Sequence, residues 1–299
     1  VGQALTARRA HGGKSPSSGT GSMAITSLDV RGQPAVELAS PGGGRLRVAL
    51  HGAHLLSWVD AKGVEHLYLS PDALFDGRSP IRGGVPICFP QFNQRGPLPK
   101  HGFARNLPWQ VEESSEHGLV LGLRSSEATR AVWPRSFHAR LALTMAPRRL
   151  RIALTIDNTG SAPWTFAAAL HTYLRVDDVL QARLEGLQGA NRWDAVRDDR
   201  HVDTAPALRF GTEFDSVYAA PAAPLRLVQP AGTLEIAQSA SCTETVVWNP
   251  GPELAAGLAD LPDDGWRQML CVEAARIDEP VLLAAGASWH GWQELRALS

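Results

Sequence analysis

From Gln33 onward the chain is written in short apolar runs that alternate and then break, and almost nowhere in a helical period. A period of two sends every second side chain to one face of a strand. The clearest case is Phe137 to Ala146 followed by Leu150 to Asn158. Leu141, Leu143 and Met145 alternate, Pro147 to Arg149 turn, and Leu150, Ile152, Leu154 and Ile156 return. Runs of similar length stand at Gln33 to Ala39, Leu46 to Leu50, Leu55 to Val59, His66 to Ser70, Trp109 to Glu113 and Gly118 to Arg124. Others follow at Leu180 to Leu184, Asp215 to Tyr218, Leu225 to Gln229, Leu234 to Ser239, Thr245 to Trp248, Met269 to Ala274, Pro280 to Ala284 and Trp289 to Leu295. Trp164 to Leu174 reads as either helix or strand, because its Ala residues favour one and its aromatic ends the other. Trp266 to Leu270 reads as a short helical turn. Many short strands at this spacing predict an all-β sandwich or barrel. Such domains often exceed 200 residues as one unit. With no internal repeat and no linker, residues 23–299 are expected to form a single domain.

Composition removes several function classes. The formal net charge is -1 and the arginines are spread along the chain, so no global basic field favours nucleic acid. No run of eighteen apolar residues offers a membrane span. Cys88, Cys242 and Cys271 are widely spaced in apolar surroundings, which predicts buried thiols in a reducing compartment, hence the cytoplasm. Residues 1–22 are rich in Gly and Ser and poor in bulky apolar residues, so a disordered leader is expected, with Met23 as the natural start.

Ile81 to Trp109 stands apart. Its Gly and Pro content forbids a regular helix or a long central strand. It still carries Ile81, Val85, Ile87, Phe89, Phe92 and Phe103, too much apolar surface for a loose linker. Arg82, Gln91, Lys100, His101 and Arg105 lie among them. Apolar anchors with convergent cations predict a folded binding loop on a rigid scaffold.

The chain has no HExxH, CxxC, P-loop or GxSxG pattern. His51 and His54 are three apart, a spacing that sends them to opposite faces of a strand and away from a shared metal. The stronger candidates are His171 in AALHTYL and Glu273 in MLCVEAARI, two ionisable groups inside apolar, strand-like stretches. Such groups are seldom buried unless paired or functional. A hydrogen-bonded core histidine, and a Glu273 paired with Arg276, are the structural alternatives.

Taken together, RGGVPICFPQF at 82–92, HGFARNLPW at 101–109, ALHTYL at 169–174, TVVWNP at 245–250 and CVEA at 271–274 resemble the aldose 1-epimerase (mutarotase) superfamily, in its hexose-6-phosphate mutarotase branch. The resemblance spans nearly all of Ala24 to Leu295 and rests on the order and joint occurrence of these pieces. It implies a large antiparallel β-sandwich, the galactose mutarotase-like supersandwich. It implies interconversion of the α and β anomers of hexose 6-phosphates, chiefly glucose 6-phosphate, with neither cofactor nor metal.

The resemblance also implies roles. His171 aligns with the general acid for the ring oxygen and Glu273 with the general base for the anomeric hydroxyl, expected on opposite sides of the sugar. Arg82 and Arg105 align with phosphate ligands, with Lys100 as a further cation. His101 is expected on sugar hydroxyls, Gln91 on the pocket rim and Asp215 as a hydroxyl acceptor. Ser216 departs from the pattern, which usually has Arg after that aspartate. Of the tryptophans, Trp248 is expected near the pocket and the others in the core. A monomer acting on a small sugar, without nucleic acid or membrane, is the expected state. Two other readings stay open: an epimerase of unphosphorylated aldoses, and a non-catalytic sugar-phosphate sensor.

Overall fold

A computed structural model describes residues 25–298. The expected leader at 1–22 lies outside the described residues. Strands dominate, and they form three antiparallel sheets. Ile25–Val30, Gln33–Ala39, Arg45–Ala49 and His54–Val59 make a four-stranded sheet in chain order. The nine-stranded sheet runs from Ala207–Leu208 through Arg183–Glu185, Leu225–Gln229, Gly232–Gln238, Ser288–Ala297, Arg149–Asn158, Phe137–Ala146 and Gly118–Arg124 to Gln110–Ser115. The eight-stranded sheet orders Asp199–Val202, Asn191–Asp194, Phe214–Ala219, Glu244–Asn249, Met269–Leu283, Trp164–Leu170 and Ile87–Cys88, with Tyr173–Arg175 also paired to Met269–Leu283. Leu141, Ile152 and Leu154 from one large sheet and Leu170, Val247 and Val272 from the other share a single buried cluster. The architecture is an antiparallel β-sandwich, one of the two all-β forms that the alternation allows and the one that the resemblance implies.

Several local expectations are corrected. His66 to Ser70 is no strand; it makes only isolated bridges, Leu67 to Leu174 and Leu69 to Gly83. The strand expected from Leu180 begins at Arg183, and Leu180 sits exposed in a turn. Met269 to Ala274 and Pro280 to Ala284 belong to one strand, Met269–Leu283. Its partner Trp164–Leu170 pairs Phe166 with Val281 but Ala168 with Arg276, so the intervening residues bulge out of the ladder. The ambiguous Trp164 to Leu174 is strand on both sides of a break at His171 and Thr172.

The Ile81 to Trp109 loop is irregular and anchored, as its composition requires. Phe89 is fully buried and packs edge-on against Phe137 at 5.3 Å and Phe166 at 5.5 Å. Burying one such side chain contributes about 1.5–3 kcal/mol, so this loop is part of the core. Gly102 has φ +72 and lies so close to Phe89 that an added Cβ would sit 2.2 Å from the Phe89 carbonyl oxygen. That oxygen already accepts from the Phe103 and Ala104 amides. Gly102→Ala is expected to destabilise the protein by at least about 1–3 kcal/mol, the usual cost of a strained backbone. A urea titration should show a lower midpoint with an unchanged slope; an unchanged midpoint would mean that the loop yields without cost.

Candidate active site

The break at His171 builds the centre of the site. Leu170 pairs with Ala274 and Tyr173 with Cys271, so His171 stands level with Glu273. The His171 amide leaves the ladder and donates to the Pro86 carbonyl of the loop at 3.0 Å. The side chains of His171 and Thr172 then take opposite faces. Thr172 turns toward the nine-stranded sheet, where its hydroxyl donates to Gln293 Oε1 at 2.6 Å, and Gln293 Nε2 donates to the Val272 carbonyl at 2.9 Å. His171 turns to the other face, where Nε2 lies 3.3 Å from Glu273 Oε1. Its ring stacks on Tyr173 at 4.9 Å and 12°, and meets Trp248 edge-on at 6.2 Å.

Around this pair lies a cavity of about 350 Å³, within the usual size for small-molecule sites. Arg82, Lys100, His101, Arg105, His171, Asp215 and Glu273 all line it, so seven of the eight residues expected from the sequence converge. Gln91 does not line it. Its amide donates to the Asn93 and Leu98 carbonyls and accepts from the Leu98 amide, each at 3.0 Å. Gln91 thus braces the turn, with both of its amide hydrogens taken. Trp248 lines the cavity as expected.

The cations are held differently from one another. Arg82 donates through Nε to Asp260 Oδ1 at 3.1 Å and through Nη1 to the Tyr173 hydroxyl at 3.2 Å. Arg105 donates to the Lys100 carbonyl at 2.7 Å, and among the described residues its buried Nε has no partner. Tyr173 and Asp260 escaped the sequence reading. Tyr173 shares a strand parity with His171 and could have been found by that alternation. Asp260 comes from a turn distant in sequence from Arg82, and no local pattern marks it.

Burial governs the protonation states. It lowers His171 well below the usual imidazole value, with His101, Arg105 and Arg82 adding to the effect. It raises Glu273 well above the usual carboxylate value, helped by Asp215 and opposed by Arg105. Burial thus disfavours charge on both members of the pair. Burial also lowers His101 to about 3, with Arg105, Lys100 and Arg82 contributing, so its ring is neutral. His101 Nδ1 accepts from the Asn93 amide at 3.3 Å and lies 3.2 Å from Cys88 Sγ, which leaves Nε2 to carry the proton. His101 has φ +66, a left-handed backbone conformation uncommon for residues other than glycine. Asp215 is pushed up to about 6 by burial and by the neighbouring Glu213.

His171, Cys271 and Glu273 offer donor atoms within 4.8 Å of one another, near enough to hold a cation. Burial raises both the Cys271 thiol and the Glu273 carboxyl well above their usual values. Among the described residues, His51 and His54 belong to no cluster of three or more metal-ligating side chains, and His54 Nε2 donates to the Gly83 carbonyl at 2.7 Å.

Ser216 lies on the sheet face away from the cavity, opposite in parity to Asp215. Its hydroxyl accepts from Arg192 Nε at 3.0 Å, and Arg192 also pairs with Asp194 at 2.9 Å. A guanidinium thus reaches this spot from the neighbouring strand.

The pattern of the family described as aldose 1-epimerase matches residues 34–296. An Escherichia coli K12 protein is 37% identical over 83% of this chain and 85% of its own length. A Cenchrus ciliaris protein is 33% identical over 84% of this chain and 80% of its own. Both carry the name "Putative glucose-6-phosphate 1-epimerase". A Salmonella typhimurium crystal structure described as a "putative mutarotase" superposes with a TM-score of 0.84 at 30% identity, over 92% of this chain and 94% of that one. The chain belongs to the aldose 1-epimerase family.

Proposed function

We propose that this protein interconverts the α and β anomers of hexose 6-phosphates, glucose 6-phosphate above all, with His171 as general acid and Glu273 as general base. One observation carries the reading: a buried His171–Glu273 pair at 3.3 Å shares its cavity with Arg82, Lys100 and Arg105. Sugar binding falls to Asp215 and His101. Residues 23–299 act as one catalytic domain, and the three free, buried cysteines suit a reducing cytoplasm.

The two side chains lie side by side, with His171 Nε2 3.3 Å from Glu273 Oε1. That suits the chemistry, because O1 and O5 of a pyranose are bonded to the same carbon. Glu273 takes the proton from the O1 hydroxyl as C1=O1 forms and C1–O5 breaks. His171 delivers a proton to O5. Rotation about C1–C2 turns the other face of the aldehyde to O5. Closure returns the O5 proton to His171, and Glu273 reprotonates O1. The reaction ends with every proton restored and no bond to the enzyme formed. Following anomer exchange in glucose 6-phosphate by NMR tests the reading. Binding without exchange would support the sensor reading, and equal turnover of glucose would support the general aldose epimerase.

The pair also predicts a bell-shaped pH profile. Activity needs one proton on the pair, so it falls when a second proton binds and falls again when the last one leaves. The two limbs belong to the coupled pair and not to single residues. Asp215, at about 6, adds to the acidic limb. In His171→Ala only a single Glu273 ionisation remains, so the alkaline limb should disappear. An alkaline limb that survives unchanged removes His171 from the role of acid.

A further inference from the structure

We propose that the substrate phosphate is an activator as well as a handle: a dianion seated among Arg82, Lys100 and Arg105 moves the shared proton from Glu273 to His171 and so arms the pair. This rests on the hexose-6-phosphate reading above.

The reaction needs imidazolium and carboxylate, yet burial works against both charges, lowering His171 and raising Glu273. The charged arrangement and the neutral one, imidazole beside carboxylic acid, hold the same number of protons, so only the local field chooses between them. His171 faces that field more than Glu273 does. Arg82 is hydrogen-bonded to the Tyr173 hydroxyl, and the Tyr173 ring lies flat on His171. Arg82 and Arg105 both disfavour charge on His171, whereas Arg105 is the cation that favours charge on Glu273. Asp215 works against that Glu273 charge. Of the imidazole's remaining neighbours, Trp248 is uncharged, burial raises the Cys271 thiol, and His101, which also disfavours charge on His171, is itself lowered to about 3.

The cation cluster is also underpaired. Arg82 has Asp260 as its carboxylate partner, while among the described residues Lys100 and Arg105 form no ion pair. Two negative charges entering there offset the surplus. Because the surplus bears more heavily on His171, its removal favours the imidazolium–carboxylate arrangement. Selectivity for phosphorylated sugars then appears in turnover, not only in binding, since binding energy far from C1 is used at C1. An unphosphorylated sugar that fills the pocket leaves the proton on Glu273.

The substrate can be divided to test this. D-Xylose supplies the pyranose ring without C6, and phosphite supplies the dianion. Exchange of xylose anomers is followed by NMR, above a background of phosphite without enzyme, because dianions catalyse the reaction in solution. Couplings between sites typically amount to about 5- to 150-fold. A rise of that size is expected at phosphite concentrations that compete with glucose 6-phosphate. Saturating glucose should show a kcat lowered to a similar degree. As a second readout, the ¹⁵N signals of the His171 ring, assigned by their loss in His171→Ala, should move toward imidazolium on adding phosphite alone. Flat xylose exchange, equal kcat values or unmoved ¹⁵N signals would each overturn the coupling, as would failure of phosphite to compete. Fast exchange of glucose 6-phosphate beside flat xylose exchange leaves the proposed function intact and reduces the cluster to a handle. No exchange of glucose 6-phosphate defeats that function itself.

Discussion

His171→Ala and Glu273→Gln are each expected to slow anomer exchange in glucose 6-phosphate by about 10²–10⁴-fold, the usual contribution of a positioned acid or base. The two variants should differ in stability, and that difference makes the result informative. Glu273 is 1% exposed, and among the described residues its Oε2 has no hydrogen-bond partner. Its raised pKa means that the folded state holds the proton more tightly than the unfolded chain. Stability contributed by the protonated carboxyl is therefore lost as pH rises from the ordinary value of 4.5 toward the folded one. Glutamine of the same shape carries no such charge. At neutral pH, Glu273→Gln should melt at the same temperature as the wild type or higher, while exchange is nearly abolished. A trade of stability against activity is what a catalytic group imposes and a structural one does not. His171→Ala removes a ring at the cavity edge and should leave the circular dichroism unchanged. Near-normal exchange in either folded variant would take that residue out of the mechanism.

How much of this was legible depends on the range of the interaction. The hairpin from Phe137 to Asn158 could be read because its alternation is local and its inward residues are apolar; the observed register pairs Ala146 with Arg149 across the turn. Asn191–Asp194 and Asp199–Val202 could not, because both are polar, and the second, at the sheet edge, is exposed throughout. Glu127–Val132 has too few residues for a helical period. Its cap, Ser126 with Thr129, acts through two short hydrogen bonds that no apolar pattern announces. Met269–Leu283 looked like two strands because Asp278, Glu279 and Pro280 interrupt its pattern where the bulge forms.

The site divides along the same line. His171 and Glu273 stood out as ionisable groups in apolar strands. Their direct contact follows from the pairing of strands about a hundred positions apart, which sequence spacing does not encode. The Arg82–Asp260 pair joins positions 178 apart. Gln91 shows the opposite error. Resemblance fixed its place in the chain but not its direction, and the 91–98 turn consumes its amide. At Ser216 the departure from the family pattern looked like a weakened site. It instead belongs to the face away from the cavity, with Arg192 from the next strand beside it.

Arg82→Ala and Arg105→Ala should weaken glucose 6-phosphate binding by about ten- to a hundredfold each and leave glucose binding nearly unchanged. Each removes a charge-assisted hydrogen bond of roughly 1.5–3 kcal/mol. The structure gives the two residues different risks. Arg82 also holds Asp260 and Tyr173, so its loss frees a carboxylate and loosens the ring stacked on His171. Some loss of glucose turnover is therefore expected in Arg82→Ala. Arg105 is tied to the Lys100 carbonyl of its own loop, and its loss should be cleaner. Arg82→Lys separates charge from geometry. Lysine keeps the cation but not the planar fork that meets phosphate and Asp260 together, so binding should fall between wild type and alanine. Raising the salt concentration should narrow the difference between the two sugars for the wild type, to the extent that the cavity admits screening ions. The deciding quantity is the ratio of dissociation constants for glucose 6-phosphate and glucose in each folded variant. If Arg105→Ala lowers both affinities by the same factor, the loop cations brace the scaffold, and the preference for phosphorylated sugars has to be sought elsewhere in the cavity.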